Sequence, residues 1–530
     1  MKTHTPEQLP NFARAQDVQW VKRENARTEL GRWEQWRELA EAIRQHTLDN
    51  LPHLLTEFSD NVAAQGGKVY FAQTAKDARD YIAEIVDHVG VAEPHPVGRP
   101  SSRRIVKSKS MVTEEIGLNP MLLNMVCADG ARIDLLETDL AEFILQVAGW
   151  EEPSHIVVPA LHFNRDQIRD LFAEKLGYMG DNNPVNLGRF ARETMRSKFS
   201  VADVAITGCN FAIANTGQIN LVTNEGNADL AIAIPRTQIV VMGMERIVPT
   251  IAEAEILDNM LGRSAVGQKV TTYLEFAGIK PDDEADGPEA FHVVIVDNGR
   301  SNALGTPFEP VLQCIRCGAC LNVCPIYRHI GGHAYGAVYP GPIGAVLSPV
   351  LGAGENKPHR HSAARLQAAE RRISERESIE NLHSGYEKYG ELPFWSTLCG
   401  ACTETCPVKI PLHQLLLEHR RVMVNELGLK PDGNFVDAEM KAVGLGLGHR
   451  HLFGLARLGA HTALGLLPKA REVTVSGSLF DGGANRRSRA VRRAPALAEG
   501  WTEVRDLPIP PPPSQSFRQW YRTRNNDGAA

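Results

Sequence analysis

Seven of the nine cysteines fall in two short runs. The first reads Cys314-Ile-Arg-Cys317-Gly-Ala-Cys320-Leu-Asn-Val-Cys324-Pro325, and the second Cys399-Gly-Ala-Cys402-Thr-Glu-Thr-Cys406-Pro407. The first run has the spacing C-x2-C-x2-C-x3-C-P, which suits an iron–sulfur cluster. Three thiolates must converge on three corners of one small cube, so the chain wraps around it with two residues between ligands. The fourth thiolate points away to a neighbouring cluster, and the proline turns the chain there. Gly318 lets the backbone lie close to inorganic sulfide, where its N–H can bond to the cluster. A pair of zinc sites is the competing reading. Zinc knuckles use four ligands in C-x2-C pairs and have no reason for this longer pattern.

The second run is the same motif without its first ligand, and the position three before Cys399 is Ser396. If the runs exchange their last cysteines, Cys314, Cys317, Cys320 and Cys406 hold one complete cluster. Cys324, Cys399 and Cys402 then hold a second with three thiolates. Its remaining corner is open to the Ser396 oxygen, a hydroxide, a partner's thiolate, Cys127 or Cys209, and a three-iron cluster needs nothing there. The expected cofactors are therefore two clusters of the 4Fe-4S type, the second with a 3Fe-4S alternative. Arg316, Lys409 and the N–H groups near Gly318 and Gly400 are placed to tune them.

The elements that must position these ligands follow from periodicity. Residues 1–64 read as helical and polar, with Trp33, Trp36 and Leu39 at helical spacing, as is the stretch Leu51–Leu55. Residues 65–300 alternate. Strand-like runs are expected at Lys68–Ala72, Arg104–Lys107, His155–Val158, Ala202–Thr207, Ile219–Val222, Leu230–Ile234, Ile239–Met242 and His292–Val296. Helices are expected from Thr74 to His88, after a Thr113 cap, at Asp139–Val147 and at Ile251–Leu261. Strands alternating with helices predict an α/β domain built on a mainly parallel sheet covered on both faces. Within it, Gly208, Gly217 and Gly226 with Asn210, Asn215, Asn224 and Asn227 read as tight turns, or as a ligand pocket at the strand ends. Residues 301–415 form the α-helical, ferredoxin-type two-cluster domain, with a charged helical insertion over Ser362–Glu380. His329, His333, His359 and His361 of that region read as solvated side chains. Residues 416–530 form a helical, partly irregular C-terminal region. The basic amphipathic stretch Ile410–Glu426 leads into it, and Met440–Leu467 reads as packing on the cluster domain, with a membrane surface as the alternative. An arginine-rich segment and the proline-rich tail from Pro508 follow.

Composition bounds the function. The chain has 530 residues, 43 % hydrophobic and 23 % charged, which suits a folded globular protein. Its formal charge of −6 argues against a nucleic-acid binder. No uncharged apolar run reaches the roughly 18–20 residues of a spanning helix. The first twenty residues carry no apolar export signal, so the expected compartment is the cytoplasm, with peripheral contact to the inner membrane face as an alternative. No phosphate loop or dinucleotide fingerprint appears.

Three stretches suggest a family: Lys107-Ser-Lys-Ser-Met111 with Glu114-Glu115, Glu137-Thr-Asp-Leu-Ala-Glu-Phe143, and Thr216-Gly217 with Asn224-Glu225-Gly226-Asn227. Together they look like the lactate-utilisation domain. The cysteine pair and a matching C-terminal region follow in order, so the chain resembles the lactate-utilisation protein B family over nearly its full length. The resemblance implies an N-terminal domain of the isomerase/CoA-transferase fold. It also implies an electron-transfer subunit of a multi-subunit system that oxidises L-lactate to pyruvate. The implied partners are a cysteine-rich subunit and a second lactate-utilisation-domain protein. The family's turn often has Glu where this chain has Asn215, so no acyl-transfer carboxylate carries over. Two other readings are a self-contained enzyme acting on a small organic acid at the open cluster corner, and a scaffold with redox-silent clusters.

Overall fold

A computed structural model describes residues 4–5, 7–89, 102–352 and 375–429. Beyond these it describes 441, 444–445, 448–449 and the strand pieces 469–475, 486–491 and 507–508. The chain divides into two compact units, Met1–Pro431 and Asp432–Ala530. No helix among the described residues is long and apolar enough to cross a membrane.

The first unit opens with three helices, α1 (Leu9–Leu30), α2 (Trp33–Asp49) and α3 (Leu51–Ala64). A sheet of six strands follows: β1 (Lys68–Ala72), β2 (Ser102–Lys107), β3 (Arg132–Glu137), β4 (Val204–Thr207), β7 (Thr237–Gly243) and β10 (Ala290–Val296). Its order is β1-β10-β7-β4-β2-β3, and every neighbouring pair is parallel. Side chains alternate between two buried faces, as period-two strands require. In β7, Ile239 and Val241 pack under the helix Ala75–His88, while Val240 and Met242 join the core that also contains α3 and the cysteine runs. The α/β domain and the cysteine region therefore share one hydrophobic core.

Residues 211–277 depart from the simple alternation. A second sheet, β8-β5-β6-β9, is formed by β5 (Phe211–Ile213), β6 (Gln218–Thr223), β8 (Ile247–Val248) and β9 (Tyr273–Ala277). Ile219–Val222 thus belongs to an antiparallel hairpin and not to the main sheet. Gly217 makes that hairpin's turn at φ +71°, and a Cβ there would come within 2.8 Å of the Val62 backbone nitrogen. Leu230–Ile234 is not a strand. The helix Asn227–Ala233 starts there because Gly226 enters it at φ +68°, with Asp229 in its first turn. His155–Val158 is not a strand either, because the His155 ring accepts the Val157 and Val158 N–H groups at 3.0 and 3.1 Å. Thr74 caps its helix in a reciprocal box with Asp77. Ser110, not Thr113, caps Met111–Glu115, its hydroxyl accepting from the Thr113 N–H.

Beyond the cysteines, the amphipathic stretch is a helix, Leu412–Arg421, continued by a π-helical turn, Val422–Glu426. It buries Leu412, Leu415 and Leu416 and leaves Leu417 exposed. Of the expected insertion, residues 362–374 lie outside the described residues, and a helix runs over Glu375–Tyr389. His359, His361 and most of 440–467 also lie outside them. In the second unit the arginine segment contributes a strand, Arg486–Val491, to an antiparallel sheet with Lys469–Val475 and Leu507–Pro508.

His419 fastens Leu412–Arg421 to its neighbours. The fully buried ring donates from Nε2 to the Val346 carbonyl at 2.9 Å and accepts the Tyr386 hydroxyl at Nδ1 at 2.7 Å. Burial lowers its pKa to about 3, against about 6.5 in an unfolded chain. The unfolded state therefore binds the extra proton. This contribution is complete above pH ~6.5 and is lost toward pH 3, at about 1.4 kcal/mol per pH unit. Urea midpoints between pH 7 and pH 5 should fall more steeply for the natural protein than for His419→Asn. Parallel slopes would show that the ring is not held neutral.

Candidate iron–sulfur centre

The two cysteine runs share one backbone. Around Cys317, Arg316 and Gly318 stand at φ +61° and +74°; around Cys399, Leu398 and Gly400 stand at +53° and +80°. Each glycine then opens a short helix, Ala319–Asn322 or Ala401–Thr405. The positive angles reverse the chain on either side of the central cysteine and so turn successive thiols inward. The match extends to the first ligand position. Arg316 N–H donates to Cys314 Sγ at 3.4 Å, and Leu398 N–H donates to Ser396 Oγ at 3.1 Å. Ser396 thus stands where a first cysteine would.

The structure brings Cys314, Cys317, Cys320 and Cys406 to the wall of one apolar cavity, with Ile156, Ile315, Ile343 and Val408 completing it. Burial, then the neighbouring Cys406, pushes the Cys317 thiol up to about 12. Burial, then Cys314, does the same to Cys406. In the other set burial, with Cys399 as a smaller cause, raises Cys324, and burial followed by Cys324 raises Cys402 to about 11. Four sulfurs in an apolar cavity cannot all ionise without a compensating cation, and an iron–sulfur cluster meets that need. The donor set therefore fits the group. Cys320 and Cys402 lie within each other's field, so the two sets adjoin. They differ in exposure: six of the seven cysteines are buried and Cys399 is exposed. The N–H of Ala401 and the Thr397 hydroxyl hold the Cys399 pKa below its usual value. Cys209 and Cys127 line no part of the cysteine cavity.

Sequence reasoning missed what holds the runs in place. Polar side chains of α1 and α2 bind their backbone carbonyls. Gln16 donates to Leu321 O and Cys324 O at 2.8 and 3.1 Å, and Arg23 to Thr405 O at 2.8 Å. Arg37 reaches Cys406 O and Thr403 O at 2.8 and 3.2 Å. Arg44, wholly buried, donates to Gln313 O and Leu312 O just before Cys314. Lys409 pairs with Glu34 of α2 at 3.2 Å. Arg246 adds a bond to Cys314 O at 2.8 Å. Arg316 meets Glu245 at 3.1 Å and lies over the Tyr339 ring at 4.8 Å. The only trace of this clamp in the sequence is four polar residues, Gln16, Arg23, Arg37 and Arg44, spaced seven or fourteen apart along helices that otherwise look solvated.

A second cavity, of about 280 Å³, lies at the carboxyl ends of β2 and β4. From β2 the chain proceeds to β3 on one side, and from β4 to β7 and β10 on the other. Such a switch point leaves a crevice where ligands bind in open α/β sheets. The three stretches singled out in the sequence meet there. Lys109 N–H donates to Asp139 at 2.7 Å, Asn227 to Asp139 at 3.0 Å, and Leu140 N–H to Glu225 at 2.8 Å. Below them Lys107, fully buried, pairs with Glu137 at 2.9 Å. The asparagines mostly build turns: Asn210 accepts the Val222 N–H and Asn224 the Thr272 N–H, while Asn215 is exposed. Cys209 lines this cavity, and burial raises its pKa to about 12. Arg246, Ile315 and Arg316 line it as well. Ile156 and Ile315 line both this cavity and that of the four cysteines, so one layer of side chains separates them.

Residues 55–296 match the LUD domain and residues 310–410 the 4Fe-4S dicluster domain. The chain is 49 % identical over 514 residues to "Lactate utilization protein B" of Geobacillus thermodenitrificans, covering 97 % of this chain and 93 % of that one. It is 48 % identical to the protein of the same name from Geobacillus sp. WCH70, over 97 % and 94 % of the two chains. To that of Bacillus pumilus it is 46 % identical, over 97 % and 93 %. With both domains in order and this likeness along nearly the whole length, the chain belongs to the lactate utilization protein B family.

Proposed function

We propose that the chain is the iron–sulfur electron-transfer subunit of a multi-subunit system oxidising L-lactate to pyruvate. Cys314, Cys317, Cys320 and Cys406 would hold one cluster, and Cys324, Cys399 and Cys402, with Ser396 at the fourth corner, the other. Bound there, the two clusters would supply adjoining one-electron carriers for the two electrons that lactate releases. The observation that carries the reading is the asymmetry of the two sets: one is sealed in the core beside the α/β cavity, and the other reaches the surface at Cys399. That is the arrangement a relay to a partner protein needs. The chain's own residues exclude water from the inner set and place arginines beside its sulfurs, which favours the reduced, more negative state. The partners would be a cysteine-rich subunit and a second lactate-utilisation-domain protein.

The α/β cavity favours one addition, that a small organic acid is held beside the inner set. It shares Ile156 and Ile315 with the cavity of Cys314, Cys317, Cys320 and Cys406, and none of Cys324, Cys399 and Cys402 lines either, so it gives no support to acid–base or Lewis-acid work at the open corner. The deciding experiment is anaerobic freeze-quench EPR of the assembled complex given L-lactate. Reduced-cluster signals should rise no later than pyruvate appears. Pyruvate formation with the clusters silent would end the relay reading and leave a scaffold.

A further inference from the structure

Away from both cysteine sets, Glu151, His162 and His333 each offer one ligand atom, and the three atoms lie within 4.8 Å of one another. His162 is wholly buried. Its Nδ1 lies 2.8 Å from Ser154 Oγ, whose own hydrogen goes to the Pro159 carbonyl at 3.1 Å. With that hydrogen committed to Pro159, the Ser154 oxygen accepts from Nδ1–H and Nε2 presents a lone pair; a proton on Nε2 would instead make a simple ion pair with Glu151. That Nε2 has no hydrogen-bond partner. It faces Glu151 Oε1 at 3.2 Å, and the carboxylate is 37 % exposed. Two lone-pair atoms at that distance repel unless a cation sits between them. Ligands about 2.0–2.1 Å from a tetrahedral ion are spaced about 3.3 Å apart.

His333 is held in a matching way. Its Nε2 lies 2.7 Å from the Glu152 carbonyl, which leaves the lone pair on Nδ1. Its ring stacks on His4 at 4.2 Å, and its backbone N–H donates to His4 Nε2 at 3.1 Å. A ring nitrogen bound to a carbonyl or hydroxyl while the other stays free is the usual outer support of a metal-ligating histidine.

We propose that Glu151, His162 and His333 bind a divalent cation of the zinc class, with solvent completing the coordination. The site ties the 151–162 loop to the segment that follows Cys324. That loop carries His155 and Val157 against Gly318, where a Cβ would meet them at 3.2 and 3.1 Å, so the ion braces the wall of the inner cysteine set. The proposal does not depend on the electron-transfer reading.

The full chain, purified anaerobically with its iron and sulfide counted, is stripped with a mild chelator and titrated with zinc chloride. Zinc is counted by mass spectrometry, and its ligands are read by zinc-edge X-ray absorption. About one zinc should bind per chain with a nitrogen/oxygen shell and no sulfur. Glu151→Gln and His333→Gln should weaken binding at least tenfold with iron content unchanged. Glu151 is at the surface, so its variant remains informative if a His162 variant fails to fold. No zinc retained at micromolar concentration, a sulfur shell, or equal binding by both variants would overturn the site. In the first case His162 and Glu151 form a simple ion pair.

Discussion

Arg44→Met is expected to lower unfolding stability by on the order of 3–5 kcal/mol and to deplete iron in the same preparation. Arg44 has no exposed surface. It donates to Gln313 O, Ile247 O, Glu245 O and Leu312 O at 3.2, 3.1, 2.6 and 3.1 Å. Burial and the neighbouring Arg246 lower its pKa to about 9, so it is a cation kept in the core by carbonyl dipoles. Methionine would fill the space of the stem and leave four carbonyls without these donors. Two of them belong to the turn that delivers Cys314 and two flank the start of β8, so the loss loosens the cysteine run against the α/β domain. Arg44→Lys keeps the charge but not the fork, and should fall between the two. Urea midpoints and iron per chain, measured on all three proteins, check this. A methionine variant with natural midpoint and natural iron content would show that the clamp is dispensable.

How far the fold could be read in the sequence depended on whether the cause was local. Five of the six parallel strands carry apolar runs that stand out, and Thr74 and Asp77 announce their helix by chemistry that acts within four residues. The sixth, β3 (Arg132–Glu137), was missed because Arg132, Asp134 and Glu137 interrupt its apolar residues. Leu230–Ile234 is apolar enough for a strand, but a glycine at φ +68° and an aspartate in the first turn start a helix instead. His155–Val158 fails as a strand for a different reason. One imidazole takes two N–H groups that a ladder would have used. The hairpin of the second sheet was hidden because antiparallel pairing across Gly217 leaves the same apolar signature as a strand of the main sheet.

The site divides in the same way. Cysteine spacing is a direct image of cluster geometry, so the ligands stand out in one dimension. The clamp does not, because Gln16, Arg23, Arg37 and Arg44 act on carbonyls more than 260 residues away, as the bonds to Leu321, Thr405, Cys406 and Gln313 show. A polar helix face that binds backbone looks in sequence like one that faces water. The meeting of the β2 loop, Asp139 and Asn227 was legible only as three separate stretches, because sheet order, not sequence order, makes them neighbours.

The reciprocal pair Ser396→Cys and Cys314→Ser should move iron content in opposite directions. The two positions are structurally equivalent: each side chain accepts the N–H of the residue two further on, at 3.1 Å for Ser396 Oγ and 3.4 Å for Cys314 Sγ. The flanking positive-φ residues repeat as well, Arg316 and Gly318 in one run and Leu398 and Gly400 in the other. A neutral hydroxyl is a far weaker iron ligand than a thiolate, and soft thiolates are what these clusters select. In the natural chain the iron at that corner of the outer set should therefore be lost first on exposure to oxygen, the more so because Cys399 beside it is exposed. Ser396→Cys supplies the thiolate without moving the backbone and should retain about one more iron per chain after brief oxidation, with the three-iron EPR signal suppressed. Cys314→Ser should produce the same defect in the inner set, with about one iron fewer. There the cost to folding is larger, because the hydroxyl enters an apolar cavity lined by Ile156, Ile315 and Ile343. Should Ser396→Cys leave both iron content and spectrum unchanged, the serine corner is not part of a cluster, and the equivalence of the two runs is a backbone repeat alone.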